Sequence, residues 1–76
     1  KVKLNTPTNG AIFAATCANY LEDIDFYYGS IVLDAKSVLS VISTGLTTVC
    51  KVVMHTNDEE KFNKFKEDIK LWIVEE

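Results

Sequence analysis

The chain has no arginine and a single histidine, His55, among its 76 residues. Binding to nucleic acid or to an anionic membrane needs clustered cations. Here the basic residues are eight scattered lysines in a chain of net charge −3, which excludes both partners. One proline and three glycines are too few for a flexible linker or a low-complexity segment. The two cysteines, Cys17 and Cys50, lie in separate apolar stretches with no Cys-x-x-Cys spacing, so they read as buried free thiols rather than a redox pair or metal ligands. No apolar run approaches the ~18 residues of a membrane span. No apolar h-region follows the opening Lys-Val-Lys-Leu-Asn, and the expectation is a cytoplasmic protein.

What is present is the profile of a folded chain, with 47% hydrophobic and 25% charged residues. The length falls well below the ~150 residues typical of one domain, so residues 1–76 are expected to form a single domain. A domain this small buries only about 60% of its unfolded surface, and its large apolar side chains are needed for the core. A deep internal active site is therefore not expected, and neither a catalytic residue nor a cofactor is assigned.

Val2 and Leu4 alternate with Lys1, Lys3 and Asn5, which predicts a first strand ending near Asn5 before the cluster Thr6-Pro7-Thr8-Asn9-Gly10. A helix is predicted over Ala11 to Leu21, with Thr8 or Asn9 as cap and Phe13, Cys17, Tyr20 and Leu21 on one side. Ile24, Phe26 and Tyr28, then Gly29-Ser30, then Ile31-Val32-Leu33 predict a hairpin turning at Gly29. Val38, Leu39, Val41 and Ile42 suit a short helix capped by Ser37 and stopped at Gly45. Val49 to Met54 is the last strand, with Lys51 on one face and Cys50, Val52 and Met54 on the other. Asn57 opens a final helix with Glu60 reaching back to it, whose apolar stripe is Phe62, Phe65, Ile69, Trp72 and Ile73. The order β-α-β-β-α-β-α predicts an α+β fold, an antiparallel sheet with helices on one face.

The stretch Asp34-Ala35-Lys36-Ser37-Val38-Leu39, continuing to Thr44-Gly45-Leu46, resembles the segment of HPr phosphocarriers that runs from a strand into a regulatory serine and its short helix. Matched without gaps from Ser37, the resemblance covers nearly the whole chain. It implies an HPr-like open-faced sandwich, βαββαβα, with a four-stranded antiparallel sheet and three helices on one face. An HPr carries its phosphate on a histidine between the first strand and the first helix, followed by an arginine. Here the gapless match places Thr6-Pro7-Thr8-Asn9-Gly10 at that point, and pairing Asn9-Gly10 with the family's Asn-Gly instead places Ile12 at the histidine. The family's nucleophile is missing in either match.

The resemblance implies a phosphotransferase-system protein of bacterial type that is regulatory rather than a phosphohistidine carrier. Its partners would be proteins of that system or a transcriptional regulator, together with a serine kinase acting on Ser37. The surface implied for them is Lys36, Ser37, Val38, Leu39 and Ile42, although a short helix could equally bury its apolar residues and Ser37 could be simply an N-cap. Thr6, Thr8, Asn9, Gly10 and Ile12 make up the degenerate carrier region. Alternation with Val52 and Met54 places His55 on the solvent side of its strand, with no second His or Cys at metal-ligand spacing. Asp23, Asp25 and Asp34 read as a solvated face. Two alternatives stand beside this reading, a phosphocarrier with an unusual acceptor in Thr6, Thr8 or His55, and an unrelated protein-interaction module of the same layer architecture.

Overall fold

A computed structural model describes residues 1–44 and 46–75. In chain order the elements are α1 (Pro7–Ala18), β1 (Ile24–Tyr28), β2 (Ile31–Asp34), α2 (Val38–Ile42), β3 (Lys51–Met54), α3 (Glu59–Asp68) and a short 3-10 turn (Lys70–Trp72). The sheet is antiparallel, in the order β2-β1-β3. β1 is central because its residues are the most strongly alternating. Ile24 and Phe26 are buried toward the helices, while Asp25 and Tyr27 point to the opposite, open face.

The predicted hairpin stands. Tyr28 pairs with Ile31 across a two-residue turn, in which Gly29 adopts φ 61°. That left-handed conformation carries no steric penalty only for glycine. The short helix capped by Ser37 also stands, its hydroxyl accepting from the Ser40 N–H. The predicted stop at Gly45 lies outside the described residues.

The predicted first strand does not form, and the four-stranded sheet is corrected to three. Val2 exchanges both backbone hydrogen bonds with Cys50 at 2.8 Å, then bridges Ile73 on its other side. Pairing on either side goes no further than this bridge because the chain turns at Asn5, whose φ of 72° is incompatible with a strand. The segment is nonetheless tied down, with Lys3 N–H donating to the Trp72 carbonyl and Val74 N–H to the Lys1 carbonyl, both at 2.9 Å. The last strand likewise begins at Lys51 rather than Val49, because Cys50 pairs with Val2 instead.

The first helix starts four residues before the predicted Ala11. Pro7 and Asn9-Gly10, read as breakers, form its first turn, and the cap is Thr6 rather than Thr8 or Asn9. Proline at the first helical position loses nothing, since its missing N–H would have no helical partner there. The helix ends at Ala18, which leaves Leu21 94% exposed instead of on the buried stripe. In the final helix Asp58, not Asn57, is the cap, its carboxylate accepting from the N–H groups of Glu60 and Lys61. Phe65, Ile69 and Trp72 are buried as predicted, whereas Phe62 and Ile73, at the edges of the stripe, stay about two-fifths exposed at 40% and 39%.

The core is set by aromatic contacts between these elements. Phe13 of α1 lies 5.8 Å, centroid to centroid, from both Phe26 of β1 and Trp72. Tyr20 meets Phe65 of α3 edge-on at 5.3 Å. The Tyr20 hydroxyl donates to Asp68 at 2.5 Å, and its carbonyl accepts from the Lys36 ammonium at 2.6 Å. Cys17 and Cys50 are buried free thiols, as expected.

Gly10 faces α2 closely enough that a methyl group in its place would come within 2.9 Å of Ile42 Cγ2 and 3.1 Å of a Leu46 methyl. Gly10→Ala gains about 1 kcal/mol of helix propensity, but overpacking costs about 1–3 kcal/mol. A net loss of about 1 kcal/mol is expected, with a larger loss for Gly10→Val, read as a lowered denaturation midpoint in urea.

Burial, reinforced by the Asp68 contact, pushes the Tyr20 hydroxyl from an ordinary 10.0 up to about 12. Burial likewise pushes the Cys17 thiol from 9.0 up to about 12. Below pH 9.0 both groups keep their protons in the folded and unfolded chains, and stability is complete. Between pH 9.0 and about 12 the unfolded chain gives up protons that the folded chain retains, so stability falls as pH rises. Tyr20→Phe is expected to cost about 1 kcal/mol near neutrality and to flatten the upper part of that decline. Urea titrations on either side of the window measure both effects.

Candidate functional site

Helices α1 and α2, with the residues that lead into them, carry the residues singled out from the sequence other than His55 and the three aspartates. From Asn5 to Leu21, and again from Ser37 to Cys50, the chain has no charged side chain. The fold joins these two neutral stretches, because Gly10 lets α2 pack directly on α1 through Ile42 and Leu46.

At the start of α1, Thr6 is extended, with φ −129° and ψ 155°, and its hydroxyl accepts from Asn9 N–H at 3.1 Å. The Asn9 side chain donates to the Leu4 carbonyl at 2.9 Å, and Asn5 N–H reaches Leu46 at 2.5 Å. These bonds consume the groups a phosphate would use. Pro7 has no N–H, Asn9 N–H serves Thr6, and Gly10 N–H serves the Thr6 carbonyl at 3.0 Å. Thr8 is exposed and Ile12 is 50% exposed, while Gly10 is buried. A helix N-terminus binds an anion through several free amides and a cation; this one retains the Thr8 amide and lies in a stretch without a cationic side chain.

His55 is elsewhere. Its N–H donates to the Asp23 carbonyl, and its neighbour Met54 pairs with Ile24 at the beginning of β1. β1 follows shortly after the C-terminus of α1, so a helix of 12 residues, about 18 Å long, separates this end of the sheet from Thr6. The ring is exposed and its Nε2 lies 2.6 Å from an Asp25 carboxylate oxygen. Asp25 in turn lies across from Asp34, whose carboxylate accepts from Lys36 N–H. The expected solvated acidic face is thus structured by local bonds. Among the described residues, no group of three or more His, Cys, Asp or Glu is arranged to hold a metal ion.

On α2 the candidate residues divide. Val38 is 39% and Leu39 77% exposed, Ile42 is half-buried against Gly10, and Val41, between them in sequence, is fully buried. Ser37 is half-buried, and its hydroxyl is held loosely, 3.4 Å from Ser40 N–H. Lys36 is turned back to the Tyr20 carbonyl and braces the end of α1. Beyond the C-terminus of α2 is a hollow of about 250 Å³ lined by Tyr28, Ile42, Ser43, Thr44, Leu46 and Thr47. Tyr28, Leu46 and Thr47 were not among the residues expected to line this surface. The signal for Leu46 and Thr47 in the sequence is the absence of charge from Ser37 to Cys50; Tyr28 lies outside that stretch.

No family model matches the chain, and no curated protein matches it. Among solved structures it is similar to HPr-C-His from Thermoanaerobacter tengcongensis, at 24% identity and TM-score 0.67, covering 91% of this chain and 79% of that one. It is also similar to selenomethionyl Crh, the catabolite repression containing protein of Bacillus subtilis, at 14% identity and TM-score 0.68, covering 99% of this chain and 90% of that one. The Crh structure is an intertwined dimer with a swapped domain. The fold of this chain is HPr-like, with three strands in the sheet where four were expected from sequence.

If Thr6 acts only as a cap, Thr6→Ala should lower stability by about 1 kcal/mol, and Thr6→Asn, another good capping residue, should restore most of it. Urea midpoints of the two variants give the comparison.

Proposed function

With an HPr-like fold as the premise, we propose that this chain is a phosphotransferase-system protein that acts by binding protein partners through α2 and the adjoining face of α1, without relaying phosphate. The observation that carries the reading is the occupant of the α1 cap. Where the resemblance puts the phosphate-accepting histidine, the gapless match has Thr6-Pro7-Thr8-Asn9-Gly10 and the other match has Ile12; the hydroxyl of the cap, Thr6, is engaged by Asn9 N–H. A threonine hydroxyl is a poor nucleophile near neutral pH without an adjacent base. The titratable side chains in the neutral stretch around it, Cys17 and Tyr20, are buried in the core and stay protonated near neutral pH.

What remains exposed supports recognition. Leu39 and Val38 project from α2, Ile12 from α1, and Ser37 opens α2 with a loosely held hydroxyl. Phosphorylation of Ser37 would add about 1.5–2 negative charges beside Lys36, at the start of a helix otherwise without charge, which changes which partners it attracts. The partners supported are proteins of the phosphotransferase system or a transcriptional regulator, with a serine kinase as the enzyme that switches it. The absence of basic clusters fits neither a nucleic acid nor a membrane, and among the described residues no helix is long and apolar enough to cross a membrane.

The test is two incubations followed by mass spectrometry. With phosphoenolpyruvate and enzyme I the chain should gain no phosphate. With an HPr-type serine kinase and ATP it should gain one, absent from Ser37→Ala. A phosphate acquired in the first incubation, and lost on Thr6→Ala or His55→Ala, would overturn the proposal.

A further inference from the structure

The hydrogen-bond pattern of the hairpin leaves one edge of the sheet open. Ala35 N–H donates to the Ile24 carbonyl, so in the alternating antiparallel ladder Ile31 and Leu33 also bond to β1. The backbone groups of Val32 and Asp34 therefore point outward. The Asp34 carbonyl is used by Ser37 N–H; among the described residues, no partner is found for the Val32 N–H and carbonyl or the Asp34 N–H.

Edge strands are ordinarily guarded by lysine, proline or a bulge. β2 has none of these, although it is only four residues long and ends on the charged Asp34, and Ile31 and Val32 are each 51% exposed. Ile31 shares the helix face with its partner Tyr28, while Val32 shares the open face with Tyr27. Apart from Asp34 on the open face, the edge is thus apolar on both faces.

We propose that β2 pairs antiparallel with β2 of a second copy of this chain, about a two-fold axis through Val32, to give one continuous six-stranded sheet. The residues choose this occupant and this register. With Val32 on the axis, its N–H and carbonyl bond to the same groups of the other Val32, and Ile31 lies beside Leu33 of the second copy on the helix face. Asp34 then lies beside Ser30, so that the outward Asp34 N–H meets the Ser30 carbonyl and no two carboxylates oppose each other. The register centred on Leu33 would instead set the apolar Val32 directly against the charged Asp34 of the second copy. A short edge buries less than the roughly 1,200 Å² of ordinary stable interfaces, so the dimer is concentration-dependent and dissociates on dilution.

Sedimentation equilibrium of the purified chain tests this, with amide hydrogen exchange on the same samples. The expected result is a reversible monomer–dimer equilibrium, dimeric toward ~1 mM and monomeric near ~10 μM, with protection gained at the Val32 and Asp34 amides as the dimer forms. Val32→Pro removes only an outward-facing donor, which an edge strand tolerates, and should abolish the dimer. Val32→Lys places two like charges side by side on the axis and should weaken the dimer about tenfold or more. Circular dichroism establishes that each variant is folded, and Val32→Lys carries the test if Val32→Pro does not fold. A monomer at every concentration, or a dimer indifferent to the folded Val32 variants, as strand exchange elsewhere would give, would overturn the proposal.

Discussion

Phe13 holds the layers of this protein together. Its ring is fully buried where α1 crosses β1, and it touches Phe26 below it and Trp72 beside it. Through Trp72 it also fixes the N-terminal segment, since Lys3 is bonded to the Trp72 carbonyl. In a chain of this size three aromatic rings are a large share of the buried apolar surface, and aromatic pairs add about 0.5–1.5 kcal/mol beyond area alone. One turn of α1 before Phe13 lies Gly10, whose lack of a side chain sets the separation of α1 from α2. One side of α1 thus fixes the sheet, the C-terminal turn and the second helix.

Tyr20 does for the far end of α1 what Phe13 does for its middle. The ring packs on Phe65, the hydroxyl bonds to Asp68, and the carbonyl receives Lys36. Beside it, Lys61 of α3 lies 2.6 Å from Glu22, holding that carboxyl below its usual range. The charged residues are therefore gathered at the C-terminal end of α1, the open sheet face and α3. The N-terminal end of α1 and all of α2 are left neutral. This division lies in the sequence, but only the packing of α2 on α1 makes the two neutral stretches a single surface.

Elements whose partners are close in sequence were legible. The hairpin follows from alternation around Gly29-Ser30, and α2 from Ser37 followed by Val38, Leu39, Val41 and Ile42. The misreadings arose where local signals have two meanings. Pro7 both ends strands and starts helices, and Asn57 and Asp58 are both capping residues in adjacent positions. Which meaning applies was decided by distant contacts, such as Asn5 with Leu46 and Val2 with Cys50. The same holds for the surface. Leu39 and Val41 look alike in sequence, yet one is 77% exposed and the other fully buried, because a five-residue helix against one neighbour can bury only one side.

The two helix caps show how one local geometry can have different chemical capacities. Thr6 and Ser37 each present a hydroxyl that accepts from an N–H three residues on, at 3.1 Å and 3.4 Å. Around Thr6 the groups other than the Thr8 amide are engaged: Pro7 lacks an N–H, Asn9 is bonded through both backbone and side chain, and Asn5 is tied to Leu46. Modifying Thr6 would remove a cap in a segment fixed on every side, without offering a ring of free amides in return. At Ser37 the bond is longer, and the helix it opens leaves Leu39 largely in solvent. An added group there would meet fewer fixed neighbours, and its charge would fall beside Lys36 at the start of an otherwise neutral helix. Of the two caps, the one at Ser37 therefore leaves more room for an added charged group.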